Sequence, residues 1–108
     1  MSARADFGPS RDDETLVRDL CAALLSPRDL DEMRRLLGDL CTPAEIRTLA
    51  ERWHVARLLD STELSYRDIH DATGVSTTTI VRVARFLKQE PHRGYRSALD
   101  RLRGGDAG

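Results

Sequence analysis

The sequence predicts an all-α fold of six helices, and three observations carry that expectation. Apolar residues recur at helical spacing along most of the chain. Alternation of period two never persists, and the β-branched run from Thr77 to Val81 lies inside a helical pattern. Ser or Thr stands at four sites with an apolar residue before it and another four positions after it, the arrangement of an N-cap with a hydrophobic staple.

The first helix is expected at about 15–25, where Leu16, Leu20 and Leu24 repeat every four residues. The second, about 27–40, follows Ser26 as N-cap with Pro27 at its first position, and aligns Leu30, Met33, Leu37 and Leu40. The third, about 43–60, follows Thr42, with Pro43 first and Glu45 completing a capping box. Its buried side holds Ile46, Leu49, Ala50, Trp53, Ala56 and Leu59. Ser65 caps a short fourth helix, about 66–72, with Asp68 at its third position. Ser76 caps the fifth, about 77–88, where Ile80, Val83, Ala84 and Leu87 share a face. The sixth begins near Pro91 and carries Tyr95, Ala98, Leu99 and Leu102. Residues 1–14, with Gly8, Pro9 and four acids, read as a disordered arm, and 104–108 as a frayed tail.

The chain of 108 residues fits one domain, 15–103. Its mean hydropathy is −0.46, with 40% hydrophobic and 32% charged residues. No apolar run approaches the ~20 residues of a membrane span, and no apolar stretch marks a secretory signal near the N-terminus. The expected location is therefore the cytoplasm, in association with the nucleoid. Cys21 and Cys41 are too few for a disulfide scaffold or a zinc site of their own, and read as two reduced core thiols. No metal and no cofactor is expected. The net charge of −1 conceals an asymmetry. Residues 1–64 hold nine Arg against thirteen acids, whereas 65–103 hold seven Arg and one Lys against four acids. A basic C-terminal half points to a nucleic-acid partner. Enzymatic function is not expected: His54, His70 and His92 are scattered, and no nucleophile–base grouping, phosphate loop or carboxylate pair accompanies them.

The fourth and fifth helices, joined by Thr73-Gly74-Val75, have the form of a helix-turn-helix over about 65–88. Gly74 supplies the positive φ of the turn. Ile69, Val75, Ile80 and Val83 are spaced to hold the two helices together. Thr77, Thr78, Val81, Arg82 and Arg85 then share the opposite face of the fifth helix, with Thr79 beside them in its first turn and Lys88 at its end. Hydroxyls and a methyl-bearing side chain suit base edges and thymine methyls, and Arg suits guanine or phosphate. Tyr66 and Arg67 stand at the start of the fourth helix, where phosphate binds. His70 occupies a position usually held by a small residue in this motif. Its bulk implies a wider helix crossing or a side chain leaning towards the DNA. A helix-loop-helix with Gly in its turn also occurs in proteins that never touch DNA, so a helical protein–protein interaction module is the alternative.

Cys41-Thr42-Pro43-Ala44-Glu45 through Leu58-Leu59, Ser65-Tyr66-Arg67-Asp68-Ile69 with Thr73-Gly74-Val75, and Ser76-Thr77-Thr78-Thr79-Ile80-Val81-Arg82-Val83 together resemble the Trp repressor superfamily. The likeness is closer to its YerC/YecD branch, which the ending Arg93-Gly94-Tyr95-Arg96-Ser97-Ala98-Leu99 also resembles. The resemblance implies a six-helix subunit, an intertwined homodimer made by interlocking N-terminal helices, and a transcriptional repressor that binds double-stranded DNA. In the corepressor site of that family, Thr42, Arg52 and Arg82 match the threonine and two arginines. Val83 and Phe86, however, stand where the Trp repressor has glycine and serine, and bulk there fills the indole slot. Tryptophan is therefore not expected as ligand, whether or not another small molecule gates the protein. Arg52 and Arg82 are read alternatively as members of ordinary ion pairs, and Trp53 as core or dimer-interface filler.

Overall fold

The computed structural model describes residues 12–107, with side chains through Arg103, and among them the secondary structure is six helices and no strand. They are α1 (Asp13–Leu24), α2 (Leu30–Leu40), α3 (Pro43–Ser61), α4 (Tyr66–Thr73), α5 (Thr77–Lys88) and α6 (Gly94–Ala107). Most of the expected arm lies outside the described residues, and Asp13 and Glu14 form the first turn of α1. At the other end, helical backbone continues through 104–107, where the sequence reads as a frayed tail.

Helix starts follow the caps, with two corrections. Ser65 accepts from the Asp68 amide at 3.0 Å and Asp68 accepts from the Ser65 amide at 3.2 Å, closing the capping box of α4. Ser76 accepts from the Thr79 amide at 3.1 Å and starts α5. Ser26 does not cap α2. Its hydroxyl turns back to donate to the Ala23 carbonyl at 2.7 Å, and its amide donates to the same oxygen. Asp29 caps the helix instead, accepting from the Glu32 amide at 2.9 Å, while Glu32 reaches back to the Arg28 amide. An Asp cap with Glu three residues on outcompetes a Ser that is drawn into the end of the preceding helix. Likewise α6 starts at Gly94 rather than near Pro91, behind Arg93 in the left-handed region at φ 57°.

The chain divides into two units, with the boundary between Pro43 and Ala44. In the first, α1 and α2 contain no buried residue. Leu16, Val17, Leu20, Leu30 and Leu40 are all exposed, and Leu25 between the helices reaches 85%. Cys41 is half-buried but Cys21 is exposed, so Cys21 is not the core thiol expected. Helices of this length, 12 and 11 residues, do not persist in water without an apolar face to pack on.

The second unit has a core. Val55 and Ala56 of α3, Ile69 of α4, Val75, and Ile80 and Val83 of α5 are buried together, with Trp53, Leu58, Leu59 and Tyr95 packed against them. Trp53 and Tyr95 stack with centroids 6.4 Å apart. The end of α3 is clasped to α6 by charge. Asp60, 12% exposed, accepts from Arg96 Nη1 at 2.9 Å and from Arg103, and Arg96 Nη2 also donates to Asp100 at 2.8 Å. The hydrogen bond from Arg96 holds the Asp60 carboxyl below its usual range, against a smaller opposing effect of burial, and the charge of Arg103 adds to the lowering.

A carboxylate lowered on folding contributes stability above its unfolded pKa of about 3.9, and that contribution disappears as pH falls through the folded value. Asp60→Asn is therefore expected to melt several degrees lower near neutral pH and to lose less further stability than the wild type in acid. Thermal melts from about pH 7 to about pH 2 read both effects; parallel curves for the two proteins would contradict the clasp.

Candidate nucleic-acid interface

The turn between α4 and α5 is closed by its own polar groups. Gly74, at φ 77° and ψ 0°, ends α4 in the left-handed region and donates its amide to the His70 carbonyl at 2.8 Å. Thr73 Oγ1 donates to the Ile69 carbonyl at 2.7 Å and accepts from the Val75 amide at 3.0 Å. His70 Nδ1 meets the Val75 carbonyl at 2.7 Å. A carbonyl only accepts, so Nδ1 carries the proton and Nε2 alone remains for anything outside. The exposed His70 side chain thus also straps the turn, through its Nδ1. Ile69, Val75, Ile80 and Val83 are all buried beneath it, at 0–4% exposure.

With one side of α5 in the core, the other is open. Thr77, Thr78, Val81, Arg82, Arg85 and Lys88 are exposed, Val81 to 50%. Thr79 is half-buried and belongs to the cap, its hydroxyl accepting from Ser76 Oγ at 3.0 Å. On α4, Tyr66 and Arg67 are exposed. Arg67, His70, Asp71 and Thr77 line a groove of about 400 Å³ between α4 and the start of α5. The structure therefore gathers Arg67, His70 and Thr77 at one end of the motif and strings Thr78, Val81, Arg82, Arg85 and Lys88 along α5.

The arginines of this face meet partners close to them in sequence. Arg67 Nε lies 4.0 Å from Asp71, both well exposed. Arg85 Nε donates to Glu90 at 2.8 Å across the end of α5. The Arg82 guanidinium lies 4.5 Å from the centroid of the Phe86 ring, and Phe86 stacks nearly parallel to His92 at 6.0 Å. Arg82 is thus held by a ring rather than by the ion pair read for it. Arg52 Nε is buried without a hydrogen-bond partner among the described residues. Thr42 is exposed and belongs to the first unit, while Arg52 and Arg82 belong to the second. Val83 is fully buried and Phe86 half-buried, so both bulky side chains occupy space on α5. Among the described residues no three His, Cys, Asp or Glu side chains converge as metal ligands, and no helix is long and apolar enough to cross a membrane.

The family model described as "Trp repressor protein" matches residues 15–103. The uncharacterized protein YerC of Bacillus subtilis (strain 168) is 44% identical over 81 residues, covering 75% of this chain and 76% of that protein. Two crystal structures are similar throughout most of their length. A TrpR-like protein from Eubacterium eligens is 41% identical with a TM-score of 0.74, covering 82% of this chain and 89% of its own. A candidate Trp repressor from Staphylococcus aureus is 32% identical with a TM-score of 0.76, covering 82% and 87%.

Gly74 has open space where a Cβ would stand, so only backbone strain opposes a side chain there. Gly74→Ala is expected to destabilise the protein by about 1–2 kcal/mol, the cost of left-handed backbone for an ordinary residue, and Gly74→Asn by less. Urea denaturation of the three proteins checks the order; equal midpoints would remove the left-handed turn as a constraint.

Proposed function

Since the chain belongs to the Trp repressor family, we propose that it is a sequence-specific regulator of transcription, a repressor that binds double-stranded DNA as a homodimer. The observation that carries this reading is the open stripe of α5, presented by a turn whose buried side is sealed. α5 lies in the major groove. Thr77, Thr78 and Val81 read base edges, with Thr79 placed behind them by the cap and Arg82 reaching guanine or the backbone. Arg67, Arg85 and Lys88 hold phosphates, Tyr66 approaches the backbone beside the start of α4, and His70 offers Nε2 from the turn. The protein acts in the cytoplasm, on the nucleoid, and has no catalytic role.

The homodimer is supported by the uncovered apolar residues of α1 and α2, which a second copy would bury. Two reading heads related by a two-fold axis would meet half-sites about one DNA turn, ~34 Å, apart, the spacing general to dimeric helix-turn-helix proteins. Val83 and Phe86 stand where bulk fills the indole slot of the family's site, so the regulator is proposed not to depend on tryptophan. A docking surface for another protein, without DNA, is the competing reading.

Selection of bound duplexes from random DNA tests the class. A palindromic consensus is expected, with log K falling linearly in log salt at about 0.9 per phosphate contacted. An apolar protein–protein surface would enrich no sequence and would respond little to salt. On the selected duplex, Thr78→Asp should weaken binding by about 100-fold or more through loss of a base contact and added repulsion. Its melting temperature should stay unchanged, because position 78 is exposed. L-tryptophan is expected to change neither the melting temperature nor the affinity for that duplex; stabilisation that grows with its concentration would overturn this part of the proposal.

A further inference from the structure

Two of the cations proposed to hold DNA are already paired with acids of the same chain. The pairs are not equivalent. Arg67 and Asp71 stand 4.0 Å apart, with side chains 89% and 64% exposed, so water screens a contact that is barely formed. Arg85 and Glu90 are 2.8 Å apart, and the Glu90 side chain is only 26% exposed. Glu90 is also held at its backbone. Its amide donates to the Arg85 carbonyl at 3.1 Å, and the Gln89 amide donates to the same oxygen at 2.8 Å. The carboxylate is therefore presented to its partner from an ordered helix end, and little side-chain entropy is lost in forming the pair.

The geometry points to Glu90 as an intramolecular competitor of the DNA backbone for Arg85, a residue that limits non-sequence-specific binding. A carboxylate and a phosphate oxygen make the same charge-assisted contact with a guanidinium. With Glu90 in place, the charge of Arg85 is largely offset towards a duplex that α5 does not fit, and among the described residues Lys88 is left as a free cation at this corner. On the right sequence, base contacts hold α5 close and the Nη atoms of Arg85, which Glu90 leaves unengaged, reach phosphate while Nε stays paired. The effect of Glu90 is then larger on random DNA than on the selected site. This inference rests on the DNA-binding reading above.

The test measures wild type, Glu90→Gln, Arg85→Gln and the double variant on a random duplex and on the selected one, across a salt series. Glu90→Gln is expected to bind the random duplex about two- to fivefold more tightly near 0.1 M salt, the range of a partly exposed ion pair. Its log K–log salt slope should steepen by about one phosphate contact. The gain should be smaller on the selected duplex and should vanish in the Arg85→Gln background. Thermal melts verify that each protein folds, and Glu90→Ala replaces Glu90→Gln if that variant does not. No gain, or the same gain without Arg85, overturns the role of Glu90 while leaving DNA binding intact. If the wild type binds neither duplex at any salt concentration, the DNA reading falls and this inference falls with it.

Discussion

Ile69, Val75, Ile80 and Val83 are closed off from water around a turn that only left-handed backbone can make, and the exposed stripe of α5 exists because of them. Burial of such side chains contributes roughly 1.5–3 kcal/mol each, far more than a cap or surface ion pair supplies. α4 has eight residues and would not persist alone. Its helix is held by Ile69, buried in one cluster with Val55 and Ala56 of α3, and by the Thr73 and His70 bonds that tie its end to the turn. The hydrogen bonds around Gly74 add direction to what burial supplies in magnitude. They orient α5 so that its apolar side meets the core and its hydroxyls and arginines meet solvent.

The second unit was the more legible in the sequence, for a physical reason. Its helices announce themselves with Ser65 and Ser76, and its core residues recur at the spacing of a buried stripe, so local signals and tertiary packing agree. The start of α2 was misread because two local signals compete: Ser26 and Pro27 resemble a helix start, but Asp29 with Glu32 forms a stronger one three residues on. At α6, Pro91 reads as a first helical residue, yet Arg93 takes a left-handed conformation and the helix waits until Gly94. No rule about proline anticipates a positive φ at an arginine. In the first unit the stripe of leucines is clear and the caps are ordinary, but the sequence of one chain does not say what covers that stripe.

Within the candidate interface, exposure was easier to read than posture. Thr77, Thr78, Val81, Arg82 and Arg85 fall on the open side of α5, as helical periodicity requires. What restrains Arg85 follows from less regular geometry. Glu90 lies five residues beyond Arg85, past the end of the helix, where i to i+4 reasoning no longer applies. His92 reaches Phe86 from the connection between α5 and α6, and Phe86 in turn lies under Arg82. The near-neutral charge of the whole chain has a local counterpart here: acids accompany the basic groups of the motif closely enough to moderate them.

The turn after α4 has no slack. Its amides, carbonyls and the Thr73 hydroxyl are joined to one another, and Val75 passes straight from the turn into the core. One residue inserted beside Gly74 would break the bonds that the Thr73 hydroxyl and His70 make to Val75 and loosen the hold of the turn on α5. Loop length at this point is therefore as much a determinant of what α5 presents as the residues on α5 themselves. Substitutions along the open side of α5 leave this turn untouched, whereas a change in the count between Ile69 and Ile80 acts directly on it.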